Sequence, residues 1–138
     1  MTEDELIARF GVPPADPRHS PEIRRVLEEE TQRLRDGTGD SAAARLLCVH
    51  LCLGGDVTDA LAVWRAKQSS FDAGCSIDVQ LMCGAGLATT KQHLAVLTGA
   101  LARDALDYIE VCEAHGDFDG FDVDELRADA QRYYSDAP

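Results

Sequence analysis

A chain of 138 residues, 45% hydrophobic and 28% charged, has the size and composition of one globular domain and enough apolar content to bury a core without disulfide or metal staples. Its 25 acidic residues against 13 basic ones leave a net charge of −12, which repels phosphate backbones and anionic lipid. Nucleic-acid and membrane partners are therefore not expected, and no apolar run is long enough to span a bilayer.

In chain order, Thr2 followed by Glu5 is a capping-box pattern, in which side chains satisfy the unpaired amides of a first helical turn. Leu6, Ile7 and Phe10 then share one face of a short helix. Gly11, Pro13, Pro14 and Pro17 end it and predict a stiff, extended connector. Ser20-Pro21 predicts the next helix start, with serine as N-cap and proline at the first helical position. Ile23, Val26, Leu27 and Leu34 fall at helical spacing, with Glu28, Glu29, Arg33 and Arg35 on the solvated side, up to the break at Asp36-Gly37-Thr38-Gly39.

Asp40 is expected to cap a helix that runs to about Leu53. That stretch is small or apolar nearly all round, which predicts a buried helix. Gly54-Gly55 ends it, and Asp56 with Asp59 opens a helix carrying Val57, Ala60, Leu61 and Trp64. Residues 68–76 are polar and carry no assignable state. Helix resumes from Ile77 to Cys83, turns at Gly84-Ala85-Gly86, and continues with Leu87, Leu94 and Leu97. A longer helix, about Ala100 to Ala114, keeps Leu101, Ala105, Ile109 and Cys112 in line. After an acidic loop from His115 to Phe121, Asp122 and Glu125 form a second capping box. Phe121 and Leu126 are placed for a hydrophobic staple, and the helix is predicted to end near Tyr134. Strand patterns are missing.

The expected fold class is thus all-α: a single domain over 1–138 with about seven or eight helices. N-terminal helices and the proline-rich connector occupy 1–36, and stacked antiparallel helical hairpins occupy 40–134. An irregular helical bundle is the alternative. The stacking expectation rests on a possible repeat, in which Val49, Leu51, Gly54, Val57 and Trp64 superimpose on Val79, Leu81, Gly84, Leu87 and Leu94.

The cysteines are Cys48, Cys52, Cys75, Cys83 and Cys112, an odd count without a CxxC pair. The start, MTEDELIARF, is acidic and lacks the basic and apolar regions of a secretory leader, so free thiols in a cytoplasmic protein are expected. Cys48 and Cys52 share a helical face, with His50 pointing away. With only Cys83 as a third donor, packing is a better account of them than zinc. Cys75, near Lys67, is the one thiol in a polar setting. The run from Asp117 to Glu125 alternates acids as calcium loops do. Its glycine arrives at the fourth position, however, too early for an EF-hand. His19, His93 and His115 stand alone, and no triad, phosphate loop or HExxH motif occurs. No catalytic, metal or cofactor residue is nominated.

The residues nominated for partner binding are Asp117, Phe118, Asp119 and Asp124 in the acidic loop, together with Trp64 and Arg65. The loop carboxylates would steer a basic partner, with Phe118 as a partly exposed anchor; Phe121 is assigned to the staple. For Trp64, burial between helices is weighed against an interface role. The stretch from Trp64 to Leu97, about a quarter of the chain, resembles small bacterial helical proteins, some of which serve as immunity or accessory partners of polymorphic toxin systems. The resemblance implies a cytosolic acidic binder that occludes a toxin, and it assigns no residue roles. The expected function is a non-enzymatic acidic protein-interaction module whose partner has a basic surface. The alternative is a small-ligand or metal-binding helical protein.

Overall fold

The computed structural model describes residues 1–135. Among them the chain forms eight α-helices and no strand: α1 (Glu3–Phe10), α2 (Ser20–Arg35), α3 (Ser41–Gly54), α4 (Ala60–Gln68), α5 (Phe71–Ser76), α6 (Leu87–Val96), α7 (Ala100–Ala114) and α8 (Val123–Ser135). Short 3₁₀ turns at Pro17–His19, Val57–Asp59 and Val79–Cys83 link them.

The expected caps are in place for three helices. Thr2 Oγ1 accepts from Glu5 N–H at the start of α1. Asp40 accepts from the amides of Ala42 and Ala43 at the start of α3. Asp122 accepts from Asp124 N–H at 2.8 Å at the start of α8. Each supplies an oxygen to amides that have no carbonyl one turn back.

The helix without a wet face, α3, is the hub. Every residue from Leu46 through Leu53 is buried. Around it pack α1, α2, α5, α8 and the Val79–Cys83 turn, while α4 leans on α2, α5 and α7, and α6 pairs with α7. One core cluster runs from Leu6 and Phe10 of α1 to Tyr134 of α8. This arrangement has the form of an irregular bundle gathered on one buried helix.

The connector after α1 is not extended. Gly11, at φ 80°, turns the chain, the backbone bends at Val12–Pro14, and Pro13 is fully buried. Ser20 is not an N-cap either. The 3₁₀ turn capped by Asp16 runs straight into α2, so Ser20 is already helical and its side chain caps nothing. Within 68–76, Ser70 Oγ accepts from Ala73 N–H and starts the short helix α5. The helix expected from Ile77 to Cys83 is instead an extended residue, Ile77, followed by the 3₁₀ turn.

The proposed repeat does not survive. Gly54 is the last residue of α3 and exposed, and the chain leaves through Gly55 in the left-handed region at φ 75°. Gly84 follows a 3₁₀ turn with right-handed dihedrals, pressed onto the Cys52 backbone. A Cβ on Gly84 would lie 2.7 Å from the Cys52 carbonyl carbon and closer still to its oxygen. One glycine releases a helix end, and the other lets two backbones touch.

Candidate functional site

The nominated acidic loop is anchored where it begins, through both backbone groups of Asp117. Asp117 N–H donates to the Cys112 carbonyl at 3.0 Å, which folds the chain back over the end of α7. Gln80 Nε2 donates to the Asp117 carbonyl at 2.6 Å. Phe118 turns inward: it is 7% exposed and meets the Phe121 ring edge-on at 5.4 Å. It is therefore a core residue and not a surface anchor, because the loop needs an apolar plug beneath its charged turn. The carboxylates of Asp117, Asp119, Asp122, Asp124 and Glu125 remain outside.

Trp64 is likewise buried, at 4% exposure. It cannot contact a partner directly, and its indole N–H has no acceptor. Arg65 is exposed, with Glu28 at 3.9 Å. Trp64 does support a residue that the sequence reading did not nominate. Tyr108 of α7 packs on it with ring centroids 5.0 Å apart, and Lys67 Nζ lies 5.7 Å from the centroid of the same Tyr108 ring. Lys67 is buried and donates to the carbonyls of Gly74 and Ile77, and its burial lowers its pKa. Partial burial raises the Tyr108 pKa, with further contributions from the Cys112 thiol and the Asp117 charge. Tyr108 thus joins the two nominated regions, with Trp64 behind it and Asp117 beside it.

On α7, Asp104, Asp107, Tyr108 and Val111 fall at helical spacing on one outward face. Tyr108 is 36% and Val111 53% exposed. Asp104, Asp107, Asp117, Asp119 and Asp124 have no ion-pair partner among the described residues, whereas Glu110 and Glu113 share Lys91 on the flank. The result is a ridge of uncompensated carboxylates with two apolar side chains set into it. Periodicity exposed this face in principle, since Leu101, Ala105, Ile109 and Cys112 mark the buried stripe beside it. Only the fold brings it next to the loop.

A second feature lies across the molecule, where the connector, α2, the end of α3 and the Val57–Asp59 turn enclose a cleft of about 180 Å³. His50, 4% exposed, lines it. Its Nδ1 accepts from Ala15 N–H at 3.1 Å, and its Nε2 is buried without a partner. Desolvation lowers the imidazole pKa to about 4. Arg24 forks onto Asp59, Nε to Oδ1 at 2.7 Å and Nη2 to Oδ2 at 3.1 Å, and reaches Asp56 at 3.3 Å. The Asp59 hydrogen bond raises the arginine pKa. Hydrogen bonds from Thr58 hold the Asp56 pKa below its ordinary value.

Among the described residues, no group of three or more His, Cys, Asp and Glu side chains is placed to hold a metal ion. None of the described helices is long and apolar enough to cross a membrane. No family model, curated protein or solved structure matches the chain.

Proposed function

We propose that this protein is an acidic, non-catalytic interaction module that receives a basic protein surface on the outer face of α7 and the loop behind it. The observation that carries this reading is the row of Asp104, Asp107, Tyr108 and Val111, in which exposed Tyr108 and Val111 stand between the unpaired carboxylates of α7 and those of the Asp117–Asp119 turn. An apolar centre with a polar rim is the anatomy of a protein interface, and tyrosine is a favoured anchor. Packing on Trp64 restricts the Tyr108 ring before any partner arrives, which lowers the ordering cost of association. The specific form implied by the resemblance of Trp64–Leu97 is a cytoplasmic partner that neutralises a toxin by covering a basic surface.

The test is affinity capture with two baits side by side, the native chain and an Asp104→Asn, Asp107→Asn, Val111→Ser variant. All three positions are exposed, so the variant is expected to keep the native circular dichroism and melting temperature. A basic protein held by the native chain and lost from the variant is the expected result. Retention of the same proteins by both baits would remove this face as the interface.

A further inference from the structure

The end of α6 leaves apolar surface uncovered: Val96 is 78% exposed and Leu97, just beyond the helix, 38%. Between this end and α7 lies a cavity of about 290 Å³, with apolar walls from Ala95, Leu97 and Leu106 and polar ones from Thr98, Gly99 and Arg103. The space is about ten times the volume one water occupies in the liquid, room for a ligand of on the order of eight heavy atoms. None of these residues belongs to the acidic ridge.

Arg103 sets the charge of the cavity. It forms no ion pair among the described residues, although Asp104 follows it and Asp107 stands one turn further on. Side chains on a helix lean towards its N-terminus, so Arg103 reaches back over the first turn of α7 to the cavity it lines. Asp104 and Asp107 are exposed and solvated, and the guanidinium left free of both is the charge in contact with the cavity. Gly99, the N-cap of α7, has no side chain to satisfy the first amides of that helix, so the positive helix end adds to the same field. We propose that this cavity binds a small aliphatic carboxylic acid as its anion, with the carboxylate on the Arg103 guanidinium and the hydrocarbon chain against Leu97 and Leu106. The chain would cover the surface that Leu97 leaves in water, and a planar carboxylate matches the parallel N–H groups of an arginine. A neutral compound would leave the cation unanswered, and an ammonium would be repelled by it.

The experiment titrates hexanoate, hexanamide, hexylammonium and acetate while following the methyl resonances of Leu97 and Leu106 by NMR at pH 7. Hexanoate is expected to give saturable shifts with a dissociation constant on the order of 1 mM, as suits so few atoms. Hexanamide, which keeps the chain and lacks the charge, should bind several-fold more weakly, and hexylammonium should not saturate. Acetate, which keeps the charge and lacks the chain, should not saturate either. Arg103→Gln should bring hexanoate down to the level of hexanamide and leave hexanamide unchanged. Leu97→Ser, followed on Leu106, should weaken both to a similar extent. Both positions are exposed, so each variant is expected to keep the native circular dichroism. Absence of saturation by hexanoate would overturn the proposal. So would equal binding of hexanoate and hexanamide, or unchanged hexanoate binding in Arg103→Gln. Acetate binding as tightly as hexanoate would mean an ion on a surface arginine and no site for the chain, which overturns it as well.

Discussion

His50 shows how a single side chain can be plain in one respect and hidden in another. A histidine inside the apolar run of α3 has to be buried, and it is. The chain gives no local sign that its acceptor nitrogen serves Ala15, 35 residues earlier. Burial costs the imidazolium more than the imidazole, which lowers the folded-state pKa from 6.5 to about 4. The unfolded chain therefore binds a proton at a pH where the native chain does not. The resulting stability is present above pH 6.5 and is lost as the pH falls from there towards 4, up to about 3 kcal/mol for this one group. Urea unfolding at pH 7 and pH 5 should show a smaller decline for His50→Asn than for the native chain. The asparagine oxygen can still accept from Ala15 but does not titrate. Equal declines in the two proteins would remove His50 as a source of the acid sensitivity.

The cysteines are the more legible case. Cys48 and Cys52 are free and buried, as the apolar surroundings of their helix required, and burial pushes both thiols up, Cys52 to about 12. Cys83 is also pushed up to about 12, and Cys112 is buried, while Cys75 is exposed. A thiol reagent at pH 8 should accordingly modify Cys75 fast and the other four on the timescale of unfolding. In Cys75→Ser the fast phase should be missing. Rapid reaction at Cys48 or Cys52 in the folded protein would contradict the packing of α3.

Helices announced themselves where the local chemistry was decisive. Thr2, Asp40 and Asp122 cap because a short oxygen-bearing side chain precedes a helical pattern, and that relation is contained in a few residues. Ser20 met the same local rule and does something else, since the 3₁₀ turn before it supplies the carbonyls and the cap moves back to Asp16. The stretch around Gly84 departs from the expected helix for a longer-range reason. Its glycine answers to the backbone of Cys52, a contact that sequence spacing cannot display. The two glycines should consequently part company on substitution. Gly54→Ala puts a methyl group into open space at a helical residue and should leave stability unchanged or raise it by up to about 1 kcal/mol. Gly84→Ala drives a methyl group into a carbonyl and should cost at least about 2 kcal/mol. Thermal melts of the two variants decide the matter. Equal responses would restore the equivalence that the 30-residue offset suggested.

Across the molecule the charge is uneven. Arg9, Arg18, Arg24, Arg25, Arg33 and Arg35 all precede Asp36, and most are paired: Arg9 with Glu22, Arg24 with Asp59, Arg25 with Glu29 and Arg33 with Glu30. From Ala100 to Ser135 only Arg103, Arg127 and Arg132 stand against the carboxylates of α7, the loop and α8. The composition announced an acidic protein, and the order of residues located much of the excess in the last third. What remained out of reach was which apolar groups would share that surface. Phe118, the natural choice from sequence, is spent on the interior. Tyr108, ordinary in a helical pattern, is held half out by Trp64. The two aromatics therefore predict different phenotypes. Phe118→Ala should destabilise the fold by about 3 kcal/mol through lost packing, visible as a lower melting temperature in the absence of any partner. Asp117→Asn with Asp119→Asn should leave the melting temperature within a degree or two, because both side chains are exposed and neither caps a helix. With a basic partner, this pair should act on encounter. Unpaired carboxylates steer an oppositely charged surface over about 10 Å at 0.1 M salt, and less as salt is added. The association rate should fall several-fold in the double variant at low salt, with the dissociation rate nearly unchanged, and the gap between native and variant should close by 0.5 M salt. Stopped-flow association at two salt concentrations makes the comparison. A slower association that persists at high salt would point to a lost direct contact at the loop, and an unchanged rate at low salt would confine the interface to α7 itself.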